Sequence, residues 1–160
     1  MPVILGIDPG SNITGFGIIN YQGNKYSYIA SGCIKTTKNH PSKQLYEIFS
    51  GISQIVKLHQ PQEIALEQVF MHANVNSALK LGQARGAAIV AATQGNIKIA
   101  EYSARQVKQA VVGYGNAEKN QVQHMVKLLL KLKDKPQTDE ADALAIAICH
   151  ANSCLSGIVS

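Results

Sequence analysis

The chain has 160 residues, 46% of them apolar, and carries 15 basic against 10 acidic side chains for a formal net charge of +5. This size allows one substantial domain and excludes two large ones, and the apolar content excludes a disordered chain. The basic balance suits a polyanionic partner without proving one.

In chain order, residues 3–8 are a continuous apolar run that stops at Asp8-Pro9-Gly10, which reads as a short buried strand ending in a turn. Residues 13–20 read as a glycine-containing strand and 25–36 as a third, with Tyr26, Tyr28 and Ile34 as sheet formers. The opening is therefore an antiparallel meander. From Pro41 to His59 the residues Leu45, Ile48, Phe49, Ile52, Ile55 and Val56 recur at helical spacing, and Pro41 suits a first helical turn. Residues 63–67 are an apolar strand ending on Glu67, and 75–93 an alanine-rich helix whose Gly82 and Gly86 would admit a close neighbour. A fifth strand over 97–100 follows, then helices near 103–111 and 117–132, a polar loop over 133–138 and a last helix over about 139–150. The order βββαβαβααα places parallel crossovers beside the meander, so the expected fold is α/β, a mixed five-stranded sheet with helices on both faces. One domain over residues 1–152 with a short flexible tail over 153–160 is the economical division.

The first apolar run has no basic segment before it and breaks at Asp8, so neither a signal peptide nor a membrane span is expected. Cys33, Cys149 and Cys154 are few, odd in number and without metal-ligand spacing. They point to a reducing compartment and a cytoplasmic protein.

Four acids stand out because each sits where an apolar element ends or begins. Asp8 and Glu67 close two buried strands, while Asp139 and Asp142 open an alanine-rich helix one turn apart, on one face. Asp8 could simply shape its Pro-Gly turn, and Asp139 could complement the helix dipole, with Thr138 as cap. Asp142, between Ala141 and Ala143, and Glu67, behind Ile64-Ala65-Leu66, are harder to dismiss, because an unpaired charge there is costly. Glu63, Asp134 and Glu140 read as solvated or capping residues. Hard carboxylate oxygens suit Mg²⁺ or Mn²⁺, and two such ions roughly 4 Å apart can neutralise a phosphodiester and activate a water. If the strand ends and the helix start converge, the residues describe a metal-dependent nuclease.

Five blocks, in this order, resemble the bacterial RuvC-type crossover junction endodeoxyribonucleases: Leu5-Gly-Ile-Asp-Pro-Gly-Ser11, Ala65-Leu-Glu-Gln-Val-Phe70, Ser77-Ala-Leu-Lys-Leu-Gly-Gln-Ala-Arg-Gly86, Ala104-Arg-Gln-Val-Lys108 and Asp139-Glu-Ala-Asp-Ala-Leu-Ala-Ile-Ala147. The resemblance spans residues 3 to about 151. It implies an RNase-H-like fold and a homodimer that resolves Holliday junctions by paired symmetric nicks, leaving 5′-phosphate and 3′-hydroxyl ends, in homologous recombination and DNA repair. It implies Asp8, Glu67, Asp139 and Asp142 as the metal-holding catalytic acids, two Mg²⁺ per subunit with Mn²⁺ as a substitute, and Lys108 and Lys119 as active-site lysines. Lys119 opens a helix, where the dipole disfavours a cation and a bound phosphate would favour it. The resemblance also places Phe70 beside the junction as a stacking ring, although a core phenylalanine would read the same. Lys80 and Arg105 are candidate DNA-backbone contacts and Arg85 a structural or electrostatic residue. Where relatives often carry a lysine after the aromatic, this chain has Met71-His72-Ala73-Asn74, so a phosphate contact is absent unless protonated His72 replaces it. A branch-migration motor and its junction-binding protein are the further implied partners. A related nuclease acting on RNA–DNA hybrids and an inactive junction-binding protein are the competing readings. A sugar-kinase-like ATPase shares the Gly-Ile-Asp-Pro-Gly opening but needs a second large domain.

Overall fold

The computed structural model of the chain describes residues 2–69 and 74–155. Strands β1 (Val3–Asp8), β2 (Ile13–Gln22) and β3 (Lys25–Lys35) form the meander. Helix α1 (Pro41–His59) leads to β4 (Glu63–Glu67), and α2 (Val75–Thr93) leads to β5 (Ile99–Tyr102). Helices α3 (Ala104–Val112), α4 (Lys119–Leu129) and α5 (Thr138–Leu155) complete the order βββαβαβααα. The sheet runs β3-β2-β1-β4-β5, with β1 antiparallel to β2 and parallel to β4, and β4 parallel to β5.

Strand alternation sorts the side chains into two cores. Leu5, Ile7, Ile64 and Leu66 pack with Ile48 and Ile52 of α1 and Ala84, Ala88, Ala91 and Ala92 of α2. Ile4, Ala65 and Tyr102 face the other way, against Val107, Val122, Val126 and most of α5. By the same parity Asp8, Glu63 and Glu67 emerge on the α3–α5 side, which is what places the acids beside helices rather than in solvent.

Helix α5 lies directly on β1 and β2. Ala141, Ala143, Ala145 and Ala147 are fully buried, and glycines opposite them let the backbones approach. A Cβ on Gly6 would collide with the Ala143 carbonyl oxygen and lie 2.9 Å from the Ala147 nitrogen; one on Gly15 would collide with the Asp139 carbonyl oxygen and lie 2.6 Å from its carbon. This glycine track fixes the height of α5 above the sheet, and therefore where its acids sit.

Several boundaries differ from expectation: β2 runs on to Gln22, β3 stops at Lys35, and α4 covers Lys119–Leu129 rather than 117–132. The fifth strand covers Ile99–Tyr102 rather than 97–100, because its parallel pairing with β4 aligns Ile64 with Ile99 and Glu67 with Tyr102. The last helix runs on to Leu155, so residues 153–155 are helical rather than tail. The Ser153 hydroxyl donates to the Cys149 carbonyl at 3.0 Å, and the Tyr26 hydroxyl bonds the Asn152 side chain, which ties the final turns to β3. No helix among the described residues is long and apolar enough to cross a membrane.

Candidate active site

Asp8 ends β1 and pairs in register with Gly15, and Glu67 ends the adjacent parallel β4. Asp139 and Asp142 occupy the first turns of α5, whose N-terminus sits over these strand ends. Glu140 does not join them. It accepts from the Gln137 backbone N–H at 3.0 Å and from the Ser31 hydroxyl at 3.3 Å, so it caps the helix as expected. Thr138 is the first helical residue, and its hydroxyl accepts from Gln123 instead of capping.

From the other side come α3 and α4. Ser103 and Gln106 form a capping box that starts α3 just after β5, and this holds Lys108 one turn further on, toward the acids. Glu118 and Gln121 do the same for α4 and leave Lys119 as its first residue. Asp8, Glu67, Asp139, Asp142, Lys108 and Lys119 together line one cavity of about 260 Å³, floored by Ala104, Val107 and Val122.

The electrostatics of this cavity are those of a site with too much negative charge. Asp8 is pushed up from 3.8 to about 8, first by burial and then by Asp142, Glu67 and Asp139, with Lys119 opposing. Burial raises Glu67, and Asp142 adds to it, against Lys108 and Lys119. Burial also raises Asp142, Lys119 opposing it and Asp139 adding to it. Two lysines therefore fall short of neutralising four carboxylates. Hard oxygen donors in surplus over local cations fit divalent metal ions of the Mg²⁺ type.

Comparison with known proteins shows the family. A family model described as crossover junction endodeoxyribonuclease RuvC matches residues 4–150. The chain belongs to the RuvC family of crossover junction endodeoxyribonucleases. It is 58% identical to the RuvC of Shewanella piezotolerans over 94% of this chain and 87% of that protein. The RuvC of Psychromonas ingrahamii is also 58% identical, over 100% of this chain and 95% of its own length. A solved structure of T. thermophilus RuvC in complex with a Holliday junction substrate matches with a TM-score of 0.92 at 34% identity, covering 98% of this chain and 97% of that one. The fold is accordingly RNase-H-like.

Other residues singled out in the sequence fall in several places on this RuvC fold. Phe70 and His72 lie outside the described residues. Lys80 is exposed and lines a separate cleft of about 430 Å³ with Lys38, Ser11, Asn12 and Gln44, at the same end of the sheet as the acids. Lys38 carries no signal in the sequence, because a lysine in a loop is uninformative until the loop is placed. Arg105 is exposed on α3 and packs along Gly115 rather than lining the acidic cavity. Arg85 forms an ion pair with Glu101 at 2.9 Å, a structural role linking α2 to β5. Glu63, expected in solvent, instead contacts His150 and Cys154 at the far end of β4.

Proposed function

We propose that the chain cuts Holliday junctions at the cavity built from Asp8, Glu67, Asp139 and Asp142, with these four acids holding two Mg²⁺ ions or, in substitution, Mn²⁺. The supporting observation is the convergence of four carboxylates and two lysines from five separate elements on one cavity. Bound there, the metal supplies charge neutralisation at the phosphate and an activated water. The protein's own residues do the rest. The rigid strand ends and the first turns of α5 keep the carboxylates in place before substrate arrives. Lys119, opposed to Asp8, Glu67 and Asp142 at once, and Lys108, opposed to Glu67 and Asp142, present positive charge to the scissile phosphate and the departing 3′ oxygen. The products are nicked duplexes with 5′-phosphate and 3′-hydroxyl ends.

Lys119→Met tests the lysine role. The side chain is exposed, so the fold should survive. Junction cleavage in single turnover should fall by about 100-fold, in line with loss of one preorganised cation, while junction binding changes little. Unchanged cleavage would remove Lys119 from the chemistry.

Paired symmetric cuts need two sites related by a two-fold axis. Helix α2 offers the surface for such a homodimer. Its buried alanines pack into the core shared with α1 and the sheet, while Val75, Leu79 and Val90 are exposed at 65%, 63% and 57%. They fall on one helical stripe with Gly82 and Gly86, and an added Cβ at either glycine meets nothing within 4 Å among the described residues. Among the described residues nothing packs on these glycines, and an open small-residue stripe flanked by apolar side chains suits close contact with a second copy. Leu79→Glu should convert the dimer to a monomer in sedimentation velocity and abolish paired cutting. A dimer that persists would place the interface elsewhere.

Phe70 follows the exposed Gln68 and Val69, and stacking of its ring on a base at the crossover is part of this reading. Phe70→Ala should reduce junction cleavage by about 10-fold or more with little change in melting temperature. Equal losses in both would leave it a packing residue. Lys38 and Lys80 extend positive charge along the same end of the molecule, on the path of a DNA backbone. The cellular setting of this reading is the cytoplasm.

A further inference from the structure

At the opposite end of α5 a second cluster uses different chemistry. The His150 imidazole is buried, and its Nε2 lies 2.9 Å from Glu63 Oε2 and 3.5 Å from Cys154 Sγ. Cys154 Sγ is 3.8 Å from Glu63 Oε2. The three donor atoms lie within 4.8 Å of one another. At 3.8 Å the Cys154 thiol donates only weakly to Glu63. A single cation at the centre would satisfy all three atoms.

The distances fit. Tetrahedral zinc with ordinary Zn–N, Zn–O and Zn–S bonds separates its donors by roughly 3.3–3.6 Å. The contacts to sulfur are already at or slightly beyond that value, and the Nε2–Oε2 contact needs to open by about half an ångström on the same geometry. The supporting shell is present as well. Tyr102 places its hydroxyl 2.6 Å from His150 Nδ1, so an Nδ1–H donated to that oxygen would leave the Nε2 lone pair for a metal. Tyr21 hydrogen-bonds the Cys154 thiol. Glu63 and Cys154 are partly exposed, which leaves a solvent path to the fourth position.

We infer that Glu63, His150 and Cys154 form a binding site for a thiophilic divalent cation of the Zn²⁺ type, separate from the nuclease cavity. The separation follows from the fold. Helix α5 runs antiparallel to β4, so the four residue steps from Glu63 to Glu67 cover about 13 Å and the eight from Asp142 to His150 about 12 Å. The two sites therefore terminate the same helix–strand pair at opposite ends. A mixed N, O and S donor set discriminates against Mg²⁺, whereas the all-oxygen cavity accepts it. Bound Zn²⁺ would clamp the last turn of α5 to the first residue of β4, the two elements that carry Asp139, Asp142 and Glu67.

Cobalt(II) titration of the reduced full-length chain tests this directly, because a thiolate-to-cobalt charge-transfer absorption reports sulfur ligation and the acidic cavity alone cannot produce it. The absorption should appear with one equivalent in the wild type and in Cys33→Ser, the control for the thiol nearest the acids. It should vanish in Cys154→Ser, fall with Glu63→Gln, and be bleached by Zn²⁺ but not by excess Mg²⁺. Tyr102→Phe should weaken binding by roughly 10-fold while keeping the absorption. In the Asp8→Asn background, where the acidic cavity is disabled, Zn²⁺ should raise the melting temperature, and it should not do so in Asp8→Asn/Cys154→Ser, with circular dichroism confirming that both variants are folded. No charge-transfer absorption in the wild type, its persistence in Cys154→Ser, or its loss on adding Mg²⁺ would each overturn the site and leave a plain hydrogen bond between His150 and Glu63.

Discussion

Asp8→Asn abolishes junction cleavage, by at least about 10³-fold on the scale of lost charge stabilisation in a preorganised site, and at the same time raises the melting temperature of the metal-free protein. The first half follows from its place between Glu67 and the two acids of α5. The second follows from linkage. The folded chain holds the Asp8 proton up to about pH 8, whereas an unperturbed aspartate releases it near 3.8. Folded protein therefore binds more protons than unfolded protein between those values, and metal-free stability declines as pH rises through that window. Above about pH 8 the destabilisation is fully present. Asparagine keeps the shape and removes the charge. Because Glu67 and Asp142 share the same repulsion, the gain is on the order of 3 kcal/mol rather than the full shift, or about 5–10 °C for a chain of this size. Differential scanning calorimetry at pH 8.5 in EDTA should show it, and the gain should disappear at pH 4. Mg²⁺ should stabilise the wild type and not the variant. A variant that melts lower than wild type in EDTA would mean that the acids are paired rather than mutually repelling.

Gly15→Ala, which removes no ligand and alters a buried position, should also cost activity, though about tenfold less than Asp8→Asn. The new methyl would collide with the Asp139 carbonyl, and α5 must lift or tilt at the turn that carries Asp139 and Asp142. Overpacking of this kind costs about 1–3 kcal/mol. Misplacement of catalytic groups by about 1 Å costs about 100-fold in rate. Single-turnover cleavage should fall by that factor at a temperature where the variant is still folded, and saturating Mg²⁺ should not restore it. Full activity with a normal melt would show that α5 can shift without consequence, and the rigid-scaffold argument would fail.

The convergence of the four acids on one cavity is legible because three simple signals coincide. Asp8 and Glu67 end apolar runs, so strand parity sends them to one face. A helix between the meander and β4 requires a parallel neighbour. The i,i+3 spacing puts Asp139 and Asp142 together. What sequence did not reveal depends on which elements lie across from each other. Gly6, Gly15 and Gly17 read only as glycines in strands until α5 is laid on them. A Cβ at Gly17 would sit 2.6 Å from Leu144 Cγ. Glu63 looks solvent-bound because its partners are 87 and 91 residues away. The three cysteines have no ligand spacing among themselves, but Cys154 follows His150 by one helical turn, a mixed pair that a cysteine count overlooks. The helical end of α5 is hidden for a related reason: besides its local bonds, it is tied down by Tyr26 of β3, 126 residues away from Asn152.

The most direct test is cleavage of a four-way DNA junction by the purified chain, with Mg²⁺ and with EDTA, mapped on all four strands. Paired cuts at symmetric positions on two opposing strands, present with Mg²⁺, absent with EDTA and absent in Asp8→Asn, are the expected result. Junction binding without cuts across several sequence contexts in both Mg²⁺ and Mn²⁺, or cuts that persist in EDTA, would contradict it.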